Sequence, residues 1–178
     1  MTELRLLILG LLAREPRSAY ALGRALAETP AGGFSGSPGA VYPAVRAMVK
    51  NGLLERVKGH RGKIRGQPYV LTKTGDQILR EWLERPIDGW DLVRSPGVIL
   101  LKLSFLRGEP AQRRLRRELG DVAAATLAAL EAYRSAAAPD LADSSEDAIR
   151  LTEALFGAYV EWASSQDRAK DGATQHQL

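Results

Sequence analysis

Residues 59–67 carry side chains that could bind a polyanion. They place cations between glycines and include no acidic residue. Glycines let a backbone approach its partner closely, and cations pair with phosphates. The stretch therefore predicts a loop that grips a sugar-phosphate backbone, although such a loop could also be an ordinary solvated hairpin. The expected contacts are His60, Arg61, Lys63 and Arg65.

Residues 37–50 could supply a second set of contacts, because their pattern is that of a helix with one apolar face. The second helix of a helix-turn-helix enters the major groove amino end first, so residues near its start matter most. Tyr42 could donate to a phosphate or cover its own core, and Arg46 could reach a guanine edge or a phosphate. The expected contacts are Ser37, Ala40, Tyr42, Pro43, Arg46 and Lys50.

Pro43 leaves the start of this helix open. If the helix is capped by Ser37, Pro43 lies past the first turn and bends the axis. If the helix starts at Gly39 or Ala40, the missing amide of Pro43 costs little. Both starts keep the same apolar face, which is formed by Val41, Val45, Met48 and Val49.

Two helices precede this one. Residues 4–12 have apolar side chains at helical spacing, and Pro16 must end that helix. Ser18 has the oxygen to cap a second helix. Tyr20, Leu22 and Leu26 are then expected to face the same core.

Two strands and a fourth helix follow. Residues 53–58 alternate well enough to form a strand, and residues 68–72 would be its antiparallel partner across the basic loop. Thr72 or Thr74 could cap the fourth helix, which Pro86 closes. The order of elements is that of a winged helix-turn-helix domain.

The second half of the chain reads as purely helical, with stretches at 98–106, 110–138 and 146–168. The long middle stretch carries an apolar stripe suited to packing along another helix of similar length. The stripe therefore needs a partner helix. The stripe consists of Leu115, Leu119, Val122, Leu127, Leu130 and Tyr133.

The expected fold class is mostly α with a small two-stranded β-wing. We expect a winged helix-turn-helix DNA-binding domain at residues 1–86 and an α-helical dimerisation and possible effector domain at 87–168. Residues 169–178 hold little that could be buried, so a disordered tail is expected there.

Five segments in this order resemble the PadR family of bacterial regulators over about residues 3–85. Ala19 departs from the glycine usual before the tyrosine, which affects only the tightness of that turn. The resemblance implies a homodimeric repressor that binds a palindromic operator in double-stranded DNA and is released by a small hydrophobic or aromatic molecule. The segments are Leu4–Leu12, Ser18–Leu22, Ser37–Val45, Asn51–Leu54 and Tyr69–Gly75.

Aromatic residues near the carboxyl end could line an effector site. Phe156, Tyr159 and Trp162 recur at helical spacing, a pattern more typical of packing than of a ligand site. The two interpretations are compatible, because helices that meet around aromatic side chains can leave an apolar cavity. Trp90 and Trp162 would then form part of its wall.

The arginines between residues 113 and 117 could touch DNA. A charge run on a long helix is more often a solvated face, or pairs with acidic neighbours such as Glu118 and Asp121. The net charge of +4 is only moderately basic, so the placement of the cations matters more than their number.

The composition argues against several classes of site. The absence of cysteine removes disulfides and thiol chemistry and fits a reducing cytoplasm. His60 and His176 are far apart and lack carboxylate companions, so no metal or cofactor is expected. We find no catalytic motif in a plausible context, and no apolar run of the about 20 residues that span a bilayer. The competing interpretation is a winged helix that binds a protein without reading DNA.

Overall fold

The computed structural model describes residues 2–28, 37–57, 66–94, 96–137 and 143–174. The chain forms two compact units, Met1–Arg85 with Leu100–Phe105, and Pro86–Ile99 with Leu106–Leu178. The elements in chain order are α1 (Glu3–Leu12), β1 (Arg17–Ser18), α2 (Ala19–Ala27), α3 (Pro38–Lys50), β2 (Leu54–Arg56), β3 (Pro68–Leu71), α4 (Lys73–Glu84), α5 (Gly89–Arg94), α6 (Pro96–Phe105), α7 (Glu109–Ala137) and α8 (Asp143–Thr174).

Two of the helices begin where side-chain caps were predicted. The Ser18 hydroxyl accepts the amide of Ala21 at 3.3 Å at the start of α2. Thr72, rather than Thr74, caps α4 by accepting the amide of Gly75 at 3.1 Å. These bonds satisfy amides that the first turn leaves without an intrahelical acceptor, which fixes the first residue of each helix.

The small sheet has three strands, where the sequence pattern predicted two. Strand β1 is only two residues long, too short to leave a periodic signal, and it pairs antiparallel with β3 so that Arg17 faces Tyr69. On the other edge of β3, Leu54 of β2 faces Leu71. The strand order is β1-β3-β2. The segment between α1 and α2 is therefore held in the same sheet as the two wing strands.

Helix α3 begins at Pro38, with Ser37 as its cap residue, so Pro43 lies inside the helix. Of the two starts compatible with the sequence, the earlier one is therefore correct. Because Pro43 has no amide hydrogen, the Gly39 carbonyl loses its donor four residues on. The helix nevertheless continues to Lys50, because its apolar side is completely buried at Val41, Val45 and Met48.

The core of the first unit is built from all four of its amino-terminal helices and from the two longer strands. Tyr20 of α2 was predicted to face this core, and that prediction is wrong, because the side chain is 56% exposed. The most deeply buried members are Leu7, Ile8, Leu9, Leu22, Leu26, Val41, Val45, Met48, Leu54 and Leu101.

The last residues of α6 complete this core, although they lie beyond residue 86, where the sequence pattern ended the domain. Phe105 packs so closely on α1 that a Cβ at Gly10 would lie 2.4 Å from the ring. The Arg14 guanidinium donates to the Ser104 carbonyl at 2.7 Å and lies 5.5 Å from the centre of the Phe105 ring. Helix α1 thus binds the carboxyl end of α6.

Lys102 is fully buried in the first unit and binds the end of α4. Its ammonium group donates to the carbonyls of Leu83 and Arg85 and lies 5.7 Å from the centre of the Trp82 ring. A buried cation is stable only when its protons are accepted, and the last carbonyls of a helix are suitable acceptors. The Lys102 ammonium therefore supplies donors to the last carbonyls of α4, which have no amide partner within the helix.

The second unit is dominated by an antiparallel hairpin of α7 and α8. Leu115 and Leu119 of the predicted apolar stripe are buried in it with Phe156 of α8, whereas Tyr133 is exposed. Helix α7 therefore packs along α8 of the same chain. Near the turn of the hairpin, the Arg134 guanidinium binds Glu153 at 2.7 Å and Glu146 at 3.1 Å.

Helix α8 at the carboxyl end is longer than the sequence predicted. Helix α8 continues to Thr174, six residues past the predicted end at 168 and into the stretch where a disordered tail was expected. Residues 175–178 lie outside the described residues. None of the described helices combines the length and apolar character needed to cross a membrane.

Gly75 should be essential for the stability of the first unit. An added Cβ would lie 2.2 Å from the Leu53 carbonyl oxygen. Both clashing atoms are fixed by the backbone, so no side-chain movement could relieve the clash. Gly75→Ala should lower the free energy of unfolding by about 2–3 kcal/mol in urea denaturation. Gly157→Ala is the control, because a Cβ at that position would meet open space. It should raise that free energy by about 0.5–1 kcal/mol as a better helix former. Equal effects of both changes would contradict the close approach.

Candidate nucleic-acid interface

The outer face of α3 is polar, basic and free of acidic residues. The helix contains no Asp or Glu, and its exposed residues include Tyr42, Arg46 and Lys50. Tyr42 is 39% exposed, so its ring covers part of the helix while the hydroxyl can reach a partner. Because the opposite face is buried in the core, these side chains have no alternative packing position. A polyanion approaching this face would meet two cations and no like charge.

The remaining predicted α3 residues lie at its amino end. Ser37 and Pro43 are exposed, and Ala40 is half-buried. The Ser37 carbonyl accepts the amides of Ala40 and Val41 at 3.0 and 3.1 Å, whereas its hydroxyl makes no capping bond. A short, mostly exposed amino end lets the first turn come close to a surface, and its amides favour a nearby anion.

The base of the wing is well defined by hydrogen bonds. Beyond the strand pairing, the Val57 amide donates to the Pro68 carbonyl at 3.0 Å. The Gln67 side-chain amide donates to the Val57 carbonyl at 2.9 Å. These bonds extend the two strands toward the loop between them. The four predicted contacts in that loop, His60, Arg61, Lys63 and Arg65, lie outside the described residues.

The predicted effector residues differ in burial. Phe156 is buried and meets the Tyr159 ring edge-on at a centroid distance of 6.3 Å, whereas Trp162 is 36% exposed. Burial raises the pKa of the Tyr159 hydroxyl, which keeps that group neutral. The side chain of Trp90 lies outside the described residues. Phe156 is thus buried with the half-buried Tyr159 packed against it, and Trp162 is partly exposed.

The arginine-rich part of α7 is partly paired within its own helix. Arg113 binds Glu109 at 3.4 Å, and Glu118, considered as a possible partner of the arginines, accepts the Ile87 amide at 2.7 Å. Arg113, Arg114 and Arg117 line an open cavity of about 530 Å³. Within the described ranges, no group of three or more His, Asp or Glu could hold a metal ion.

Two exposed residues of α2 were missed by the sequence analysis. Tyr20 was assigned to the core, and Arg24 was not considered, yet both lie beside Tyr42 around one cavity. A signal was available, because Leu22 and Leu26 already define the buried face of α2, and Tyr20 lies two residues from Leu22. Positions two apart on a helix point in different directions.

Comparisons with known proteins give a family match for the first unit. Residues 8–81 match the model of the transcriptional regulator PadR-like family. A PadR-like transcriptional regulator from Bacillus cereus is 18% identical, with 96% of this chain and 99% of that chain covered and a TM-score of 0.41. Bacillus subtilis PadR in complex with operator DNA is 22% identical, with coverages of 92% and 96% and a TM-score of 0.42.

Bacillus subtilis PadR has also been solved with p-coumaric acid, and that structure is 22% identical, with coverages of 94% and 98% and a TM-score of 0.41. No curated protein matches the chain. The family match spans α1 from Ile8, the helix-turn-helix, both wing strands and most of α4. Residues 8–81 are therefore a domain of the transcriptional regulator PadR-like family.

Proposed function

We propose that the chain is a homodimeric, sequence-specific DNA-binding transcriptional regulator. The observation that carries the proposal is α3, whose inner face is buried and whose outer face presents Tyr42, Arg46 and Lys50 without an acidic residue. A helix of this kind fits the major groove, where side chains can read base edges. The family match over residues 8–81 supports the same function.

Each part of the interface has a separate role in the proposal. Arg46, in the middle of α3, reads a base edge, and Tyr42 donates its hydroxyl to a phosphate. Ser37 and the first amides of α3 bind a phosphate. The wing cations His60, Arg61, Lys63 and Arg65 bind the sugar-phosphate backbone.

The dimer is proposed to form through one face of α8. Exposed residues recur there at alternating spacings of three and four, the pattern of a coiled-coil seam. Leu151 is 62% exposed and Leu155 is 55% exposed, which leaves apolar area in water that no described residue covers. A second copy presenting the same face would cover it symmetrically. The seam consists of Ala148, Leu151, Leu155, Ala158 and Trp162.

Repression and release by a small apolar or aromatic molecule complete the proposal, as the resemblance to PadR-like regulators implies. Trp162 is the side chain best suited to meet such a molecule, because it lies at the edge of the seam rather than in the hairpin core. A ligand there would act by favouring a different spacing of the two DNA-binding units. Calorimetry with candidate aromatic acids, repeated on Trp162→Ala, tests this part.

Arg46→Ala should relax sequence preference. Duplexes selected from a randomised pool by the full-length protein would identify its preferred site. On that site the variant should bind about 10–100-fold more weakly, with lower discrimination at one base pair. Arg80→Ala is the matched control, because it also removes an exposed arginine from the first unit. The Arg80 guanidinium is already bonded to Asp76, and this carboxylate raises the pKa of Arg80. Wild-type protein that selects no sequence and instead captures a protein partner would overturn the proposed function.

Removing cations of the wing should change the salt dependence of DNA binding rather than the sequence preference. Replacing Arg61 and Lys63 together by alanine should reduce the slope of log affinity against log salt by about two, since each phosphate contact contributes about one. The preferred sequence should not change. The titrations need only the selected duplex at several KCl concentrations. A changed preference with an unchanged slope would show that these cations read bases instead.

Leu151→Asp combined with Leu155→Asp should produce monomers. Burying two carboxylates in an apolar seam is unfavourable, so the sedimentation coefficient should fall to that of one chain. Affinity for a palindromic site should fall with it. Leu100→Asp is the control, since Leu100 is an exposed leucine of the first unit. A double variant that still sediments as a dimer would contradict the seam.

A further inference from the structure

Helix α2 carries an exposed pair that repeats the arrangement found on α3. Tyr20 and Arg24 are four residues apart on α2, as Tyr42 and Arg46 are on α3. Residues four apart lie one above the other on the same side of a helix. Each helix of the helix-turn-helix therefore presents a tyrosine followed, one turn later, by an arginine.

The two helices bring three of these four residues around one cavity. Tyr20, Arg24 and Tyr42 surround a cavity of about 450 Å³ between α2 and α3. Its other walls are small or apolar, and they include Ala19, Gly23 and Val41. The tyrosines thus stand at the edge of an apolar depression with their hydroxyls available to a partner. The surface of α2 is continuous with the outer face of α3.

Neither member of the α2 pair is required by the fold. Tyr20 is 56% exposed, so its ring contributes little buried area. Arg24 binds Glu28 at 3.1 Å, but both side chains are about two-thirds exposed. An exposed pair of this type contributes little stability and is easily exchanged for another anion. A phosphate offers the guanidinium a stronger, bidentate partner.

We propose that Tyr20 and Arg24 bind the phosphate backbone of DNA beside the groove occupied by α3. The Tyr20 hydroxyl donates to a phosphate oxygen, and Arg24 leaves Glu28 to pair with a phosphate. This rests on the proposed function and adds α2 to the interface. It assigns the two residues a positioning role without base readout, because phosphate contacts fix register but carry no sequence information directly.

Salt titrations of DNA binding by the full-length protein test the proposal. With the duplex selected by the wild type, Arg24→Ala should reduce the slope of log affinity against log salt by about one, and affinity near 150 mM salt by about fivefold. Tyr20→Phe should weaken binding by about threefold to tenfold through loss of one hydrogen bond. Neither variant should change the preferred sequence. Glu28→Gln should strengthen binding, since Arg24 no longer has a competing carboxylate.

The matched control is Arg150→Ala, which removes a second exposed arginine held by a glutamate four residues away at 3.1 Å, on α8. Its salt slope should equal that of the wild type. Thermal unfolding of all variants should stay close to wild type, because the side chains are exposed. If Arg24→Ala keeps the wild-type slope while Arg46→Ala loses specificity, the α2 assignment is wrong and the proposed function stands. Wild-type protein without DNA affinity would overturn both.

Discussion

The burial of one face of α3 is the constraint on which the proposed interface depends. Val41, Val45 and Met48 are almost completely removed from water and pack in the core formed with α1 and α2. Side chains of this size stabilise a fold by about 1.5–3 kcal/mol each when buried, so rotation of the helix would be costly. The opposite side is thereby kept outward. It is also why an internal proline is tolerated at position 43: the packing of the apolar face outweighs one missing hydrogen bond.

The carboxyl end of α6 shows that the first unit is not a continuous segment of sequence. Leu101 and Phe105 are core residues, and Lys102 binds the end of α4. A fragment ending at Pro86 would lack all three, exposing apolar surface and leaving the last carbonyls of α4 without these donors. Truncation at that point would therefore lower the stability of the first unit itself. The proposed dimer is therefore better tested by substitutions in the α8 seam, which leave the first unit intact.

Some apolar residues of the second unit are buried within the hairpin of α7 and α8, and others stay exposed on its surface. Leu115 and Leu119 of α7 are buried, and α7 packs on α8, where Gly120 allows a close approach to Ala163. The leucines on the outer side of α8 stay in water in the described part of the chain. Arg134 holds both helices near their turn through Glu146 and Glu153. The outer seam of α8 is the face that the proposed dimer would cover.

Local sequence determined most elements of the first unit. Hydrophobic spacing, the Ser18 and Thr72 caps and the breaks at Pro16 and Pro86 are properties of adjacent residues, so they could be predicted without tertiary contacts. The basic and polar face of α3 followed from the same spacing. The strand β1 could not be predicted, because two residues have no periodicity and Arg17 and Ser18 become a strand only by pairing with β3.

Tertiary structure decided which surfaces remain open. The spacing of Leu22 and Leu26 marks one face of α2 as apolar, and the packing of that face against the neighbouring helices leaves Tyr20 in water. The same holds for α7 and α8, both amphipathic in sequence: which apolar stripe is covered depends on how the hairpin closes. Burial is a property of residues distant along the chain, and a pattern read along one helix does not contain it.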